Sequence, residues 1–175
     1  NPGFEDDGPS AGVPGWKVYD PGALTASPPR LAAGIEEGGA RSGRRCARLA
    51  AVAQSSWDGI ACDVPLSALP SPATGQYLLL KFSAYAKGER LAGMGLGYTL
   101  AFRKENGERL RFVGSPYFGF GGSYGWKELA GEHKVETVLP GSAKLAVELL
   151  LGKSTGTAWL DDVRLTAELW QKADL

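Results

Sequence analysis

The stretch Leu91-Ala92-Gly93-Met94-Gly95-Leu96-Gly97-Tyr98-Thr99-Leu100-Ala101-Phe102 separates large from small side chains at every second position. Successive side chains of a β-strand point to opposite faces, so Met94, Leu96, Tyr98, Leu100 and Phe102 share one face, while Gly93, Gly95, Gly97, Thr99 and Ala101 share the other. A helix would scatter both sets around its circumference. The large set therefore belongs to a hydrophobic core, and the small set forms a smooth outer floor. A strand with one apolar face needs a second layer to cover it, and for strands that layer is another sheet.

Working outward, the same period recurs. Leu145, Val147, Leu149 and Leu151 turn inward, which places Ala146, Glu148 and Leu150 outside and leaves Glu148 as a carboxylate within an otherwise apolar strand. Ile60, Cys62 and Val64 inward put Trp57, Gly59, Ala61 and Asp63 out, and Leu80, Phe82 and Ala84 inward put Ser83 and Tyr85 out. Further strand signals run over Trp16 to Tyr19, Arg44 to Val52, Arg109 to Val113, Trp126 to Gly131 and Thr157 to Ala167. They are separated by turn chemistry such as Glu105-Asn106-Gly107 and Leu139-Pro140-Gly141. No segment of about twelve residues keeps a helical apolar period free of glycine, so helix is expected in short turns and at most in the tail from Ala167 to Leu175. The 25 glycines and 11 prolines fall between these runs, and 175 residues suffice for one core. The prediction is a single all-β sandwich domain over residues 1–175.

Nineteen basic residues balance 19 acidic ones, so no summed field favours phosphate backbones or anionic lipid, and neither a nucleic-acid nor a membrane-surface role is expected. The longest apolar runs, such as Tyr77 to Phe82, fall far short of the roughly 20 residues that span a bilayer. The chain opens directly at Asn1-Pro2-Gly3-Phe4-Glu5, as expected of a processed or excised domain. Ala47 and Leu49 inward turn Cys46 outward while Cys62 turns inward; opposite faces argue against a disulfide unless a bulge intervenes.

Catalytic signatures are absent from the sequence. The single histidine, His133, sits in the polar run Glu132-His133-Lys134 and is expected at the surface. No HExxH, GxSxG, CxxC or phosphate-loop motif occurs. The adjacent pairs Asp6-Asp7, Glu36-Glu37 and Asp161-Asp162 point to opposite faces of a strand, poor geometry for an acid and a base. A small hydrolase built on Asp63 and Glu148 would lack a fixed second partner.

The run Ser115-Pro116-Tyr117-Phe118-Gly119-Phe120-Gly121-Gly122-Ser123-Tyr124-Gly125-Trp126 interleaves aromatic rings with flexible glycines. Sugar rings present apolar C–H faces rimmed by hydroxyls, so a sugar binder needs flat aromatic platforms with a few fixed polar groups. The candidate ligand-binding residues are Trp57, Tyr85, Tyr117, Phe120 and Tyr124 for stacking, with Glu148 accepting hydrogen bonds from hydroxyls. For Tyr117, Phe120 and Tyr124 the competing reading is that they cap one end of the core. Trp16, Trp126 and Trp159 are read as core or core-edge residues.

Asn1-Pro2-Gly3-Phe4-Glu5-Asp6 followed by Gly15-Trp16, together with Ala158-Trp159-Leu160-Asp161-Asp162-Val163-Arg164-Leu165 near the end, resembles the galactose-binding-like carbohydrate-binding modules, families 4, 9, 16 and 22 most closely. The resemblance extends through Ser42-Gly43 before the Arg44 to Leu49 strand, Phe82 to Lys87, and Gly125-Trp126-Lys127. It implies a β-jelly-roll of two antiparallel sheets, a structural calcium ion near the termini, and a glycan site on the concave sheet face or its bordering loops. It maps metal oxygens onto Glu5 and Asp161, with Asp162 as the alternate, and hard oxygen ligands suit calcium. Alternation places Asp161 on an inward face with Trp159, Val163 and Leu165, where a cation or an arginine would have to compensate it. Xylan-binding members carry a Trp-x-Gly stretch and a late glutamate, matched here by Trp57-Asp58-Gly59 and Glu148. The implied protein is a secreted or cell-surface, non-catalytic, monomeric module that binds polysaccharide or oligosaccharide and is attached to a glycoside hydrolase or similar enzyme. The alternative is a structural or protein-interaction sandwich.

Overall fold

The computed structural model describes residues 4–5, 13–19, 29–53, 57–114 and 117–172, with backbone alone at 117–118. The strands are β1 (Lys17–Val18), β2 (Leu31–Glu37), β3 (Arg45–Ala51), β4 (Trp57–Pro65), β5 (Gln76–Arg103), β6 (Arg109–Phe112), β7 (Tyr117–Val135), β8 (Lys144–Gly152) and β9 (Thr155–Gln171). The helical residues among those described are the 3₁₀ turn Leu66–Ala68 and Lys172. The tail proposed as a helix instead continues β9 as far as Gln171.

All strand pairs are antiparallel. They form the two layers of a jelly-roll sandwich. Sheet A runs β2, β3, β9, the first leg of β5 and the second leg of β7. Sheet B runs β1, β4, β8, the second leg of β5, and β6 with the start of β7. β5 passes from A to B across Gly88 to Gly95, where the pairing slips repeatedly. Gly93 and Gly95 sit there at φ +87° and +81°, and a Cβ on either would strike the backbone of Lys153 or Phe120. This crossing breaks the alternation at Met94, predicted inward but 44% exposed.

Beyond the crossing the predicted faces hold. Leu96, Tyr98, Leu100 and Phe102 meet Leu78, Leu80 and Phe82 in one core, with Leu145, Val147, Leu149 and Leu151 beside them. Phe82 and Tyr98 stack across the sandwich at 4.2 Å between centroids, a contact worth about 0.5–1.5 kcal/mol beyond its buried area. Trp16 packs at the edge of this core, tilted against Phe4 at 6.1 Å. His133 is half-buried rather than a free surface residue. It pairs with Leu80, shares a 2.8 Å hydrogen bond with the Tyr98 hydroxyl, and has its pKa lowered by burial. Cys46 and Cys62 lie in different sheets as free thiols, and burial pushes Cys46 up to about 11.

The alternation fails in β9, with larger consequences. Ser83 pairs with Arg164 but Tyr85 pairs with Asp161, so β9 carries one extra residue there. Asp162 absorbs it at φ +49°. The bulge inverts the phase: Ala158, Leu160 and Val163 enter the core, while Trp159 and Asp161 turn to the outer side of sheet A. Both had been placed inward with Val163.

Candidate functional site

The outer face of sheet B follows from register. Trp57 pairs with Gly152, Gly59 with Leu150, Ala61 with Glu148 and Asp63 with Ala146. Across β8, Leu150 pairs with Gly97, Glu148 with Thr99, Ala146 with Ala101 and Lys144 with Arg103. Trp57 thus stands at one end and a polar cluster at the other, and the rows between them are Gly59, Leu150 and Gly97, then Ala61, Glu148 and Thr99, then Ala146 and Ala101, all buried. Eight residues of β4 span this distance, about 26 Å at 3.3 Å per residue. Ala101 and Ala146 have no exposure, so the longer side chains are what this face offers to solvent.

Glu148 lies on this face as expected, yet it is 0% exposed. Thr99 Oγ1 donates to its Oε2, and the Arg103 guanidinium donates to its Oε1 through Nε at 3.2 Å and through NH2. A carboxylate removed from water needs this much compensation. Arg103 spends its remaining NH1 on the Gly107 carbonyl at 2.7 Å. Burial alone would lower the arginine's pKa, but the pairing with Glu148 outweighs it and the net shift is upward. The Tyr19 ring lies 5.6 Å from the Arg103 guanidinium, and its hydroxyl accepts a 2.9 Å hydrogen bond from Arg109. Glu148 is therefore a buried anchor for Arg103, and the expectation that it accepts directly from sugar hydroxyls is corrected.

Around this cluster, Asp63 accepts from Lys17 at 2.5 Å and faces Lys144 at 3.0 Å. Burial raises its pKa, but the two ammonium groups together prevail and hold it below the ordinary value. Sequence reading missed Tyr19, Thr99, Arg103 and Arg109. Thr99 lay in plain view among the small residues of the β5 floor, directly opposite Glu148.

The remaining candidates do not join this face. Tyr85 points outward, but from sheet A, where the Arg41 guanidinium covers its ring at 3.4 Å. Trp159 lies nearby, 7% exposed, with the Lys87 ammonium 4.7 Å from its ring. Phe120 and Tyr124 contact each other at 5.3 Å and pack on the core at the β5 crossing, so the core-capping reading holds for both. The Tyr124 hydroxyl is buried without a partner, and burial raises its pKa. Trp126 is half-buried outside the core cluster. The Tyr117 side chain lies outside the described residues, as do Asp6, Asp7, Ser115 and Pro116.

The metal candidates form a different device. Glu5 Oε1 accepts from the N–H groups of Arg44 and Arg45, both at 2.9 Å, and these bonds lower its pKa. Gly43, at φ +64°, permits this approach, since a Cβ there would collide with the carboxylate. Asp161 Oδ2 accepts from Arg41 N–H at 2.9 Å and Ser42 N–H at 3.0 Å, and its Oδ1 from Asp162 N–H at 2.8 Å. Burial of Asp161 outweighs these bonds and raises its pKa. Asp162 is paired with Arg41 at 2.5 Å and with the Ser42 hydroxyl at 2.6 Å. A calcium ion requires six to eight converging oxygens with free lone pairs. Here the lone pairs of Glu5 Oε1 and Asp161 Oδ2 are filled by N–H donors, Arg41 supplies the cation, and no metal-holding group of three acidic, histidine or cysteine residues occurs among the described residues. Among the described residues these carboxylates do not fit a calcium ion; they staple the 38–44 loop to Glu5 and to β9.

No protein-family model matches the sequence, and no curated protein matches it. Solved structures do. The CBM22-1 xylan-binding domain of Paenibacillus barcinonensis Xyn10C aligns at TM-score 0.61 and 15% identity, over 94% of this chain and 90% of that one. The C-terminal family 22 carbohydrate-binding module of Clostridium thermocellum Xyn10B aligns at TM-score 0.60 and 14% identity, over 94% and 89%. The chain shares its fold with family 22 carbohydrate-binding modules. An apo cyclase from Fischerella sp. aligns at TM-score 0.64 and 19% identity, over 96% and 93%, so the same sandwich also serves an enzyme.

Proposed function

We propose that the protein is a non-catalytic carbohydrate-binding module whose polysaccharide or oligosaccharide ligand lies along the outer face of sheet B. The observation that carries this reading is the placement of Trp57 at one end of this face and of the Tyr19, Arg103 and Arg109 cluster at the other. An aromatic platform at one end and fixed donors at the other suit a chain of sugar rings, each with an apolar face and a polar rim. Fold likeness to a xylan-binding module supports the same ligand class. The carboxylates on this face, Asp63 and Glu148, are each engaged by cations, which disfavours an acid and base pair. Within the same proposal the module is a monomer that acts outside the cell beside a polysaccharide-degrading enzyme.

Affinity electrophoresis against soluble plant and microbial polysaccharides tests the reading. Retardation by at least one polymer, weakened by Trp57→Ala at an unchanged melting temperature, is expected. Absence of retardation across the panel, with the folded protein verified, would sink it.

A further inference from the structure

The polar end of the outer face of sheet B is unevenly charged. Register aligns Lys144, Arg103 and Arg109 across three neighbouring strands. Arg103 is neutralised by Glu148 beneath it, and Nε, NH1 and NH2 are each already engaged in one hydrogen bond. Asp63 is a single carboxylate shared by Lys17 and Lys144, so one positive charge there is uncompensated. Arg109 meets no carboxylate among the described residues; its contacts are the Tyr19 hydroxyl at 2.9 Å and the Phe112 ring at 4.3 Å. Those two contacts hold the guanidinium plane while leaving further N–H donors open, the preorganised fork that suits a carboxylate. The chain as a whole has a formal net charge of zero, so this local surplus is not a general basicity of the surface.

We infer that the glycan bound on this face is acidic, with a uronic acid carboxylate seated between Arg109 and Lys144. The inference rests on the carbohydrate-binding reading above and narrows its ligand class. Trp57, about 26 Å along the strand direction, takes a neutral ring of the same polymer. A neutral polymer would leave the surplus charge at the polar end unmatched.

The test compares matched polymers: glucuronoxylan and polygalacturonate, each beside its own carboxyl-reduced form, in affinity electrophoresis and titration calorimetry. Reduction of the carboxyl groups is expected to weaken binding roughly threefold or more, the scale of one partly exposed charge pair. Raising salt should erase much of that difference, since screening acts over about 8–10 Å. The double variant Arg109→Gln with Lys144→Gln should bind the acidic and reduced forms equally while Trp57-dependent binding persists. Equal binding of both forms by the unaltered protein overturns the inference and leaves the carbohydrate reading standing. Failure to bind any polymer, acidic or neutral, overturns both. A double variant that still prefers the acidic form also overturns it, because the preference then arises elsewhere.

Discussion

Replacing Arg103 with methionine isolates the ion pair that organises the proposed binding face. In the folded protein Glu148 is 0% exposed and Arg103 18% exposed, and the charge on Glu148 is met by that one cation with help from the Thr99 hydroxyl. Arg103→Met leaves the carboxylate buried with a single neutral donor. Removing one partner of such a pair costs about 3–5 kcal/mol, because an uncompensated charge stays behind. For a chain of this length each kcal/mol moves the melting temperature by about 2–4 °C, so a fall of roughly 6–20 °C is expected. The Gly107 carbonyl also loses its donor, but it lies at an exposed turn where water substitutes. Urea denaturation followed by tryptophan fluorescence measures the loss as a lowered midpoint at constant slope. The double variant Arg103→Met with Glu148→Leu removes the stranded charge and should recover most of the stability, since apolar replacement of a buried pair is often neutral or better. A single-variant cost below about 1 kcal/mol, the value of an exposed pair, would refute the reasoning. So would a double variant no more stable than the single one.

Four further outcomes follow from the same contacts. His133 has its pKa lowered from 6.5 by burial, so the unfolded chain takes up its proton first; stability should fall as pH drops from about 6.5 through the folded pKa, and His133→Gln should flatten that slope in urea midpoints at pH 7.5 and 5.0. Tyr124→Phe removes a buried hydroxyl that has no partner, and should leave the protein as stable or more stable by about 1 kcal/mol in thermal melts. Gly43→Ala meets both a positive φ and the Glu5 carboxylate, and should cost more than about 1 kcal/mol, with the loss reduced when Glu5→Ala is added. Calcium and chelator should leave the melting curve unchanged, because the 38–44 loop is held by N–H donors and Arg41; a calcium-dependent rise would contradict the staple.

Strand alternation alone fixed the inner faces of β4, β8 and both legs of β5, because a two-residue period has no freedom once one face is apolar. It failed at Met94 and at Trp159 and Asp161, and in both places the cause is local backbone geometry. Gly93 and Gly95 at positive φ at least mark the first departure in the sequence, since repeated glycines allow a strand to turn. The second is marked only by residue type: Asp162 is of a kind depleted in strands and tolerant of positive φ, and its φ of +49° accompanies the hydrogen bonds that Asp161 and Asp162 accept from the 38–44 loop. Burial was equally illegible. Alternation could put Glu148 on an outer face, but its carboxylate is taken up there by Thr99 and Arg103, which lie 49 and 45 positions away in the chain.

The division of the aromatic candidates between two sheets gives the binding proposal its sharpest control. Tyr85 and Trp57 were grouped because each points outward from its strand, yet outward means opposite directions for two sheets packed about 10 Å apart on a shared core. One ligand cannot touch both without wrapping an edge of the sandwich. Tyr85→Ala should therefore leave glycan retardation unchanged while Trp57→Ala diminishes it. The Tyr85 change does have a cost: it strips Arg41 of its ring contact, worth about 0.5–1 kcal/mol at an exposed site, and so loosens the loop that Asp162 and Arg41 hold. A variant that is slightly less stable but binds as before is the expected result. Equal loss of binding in both variants would mean that the ligand site lies at the edge where the sheets meet, and the assignment to the outer face of sheet B would fall.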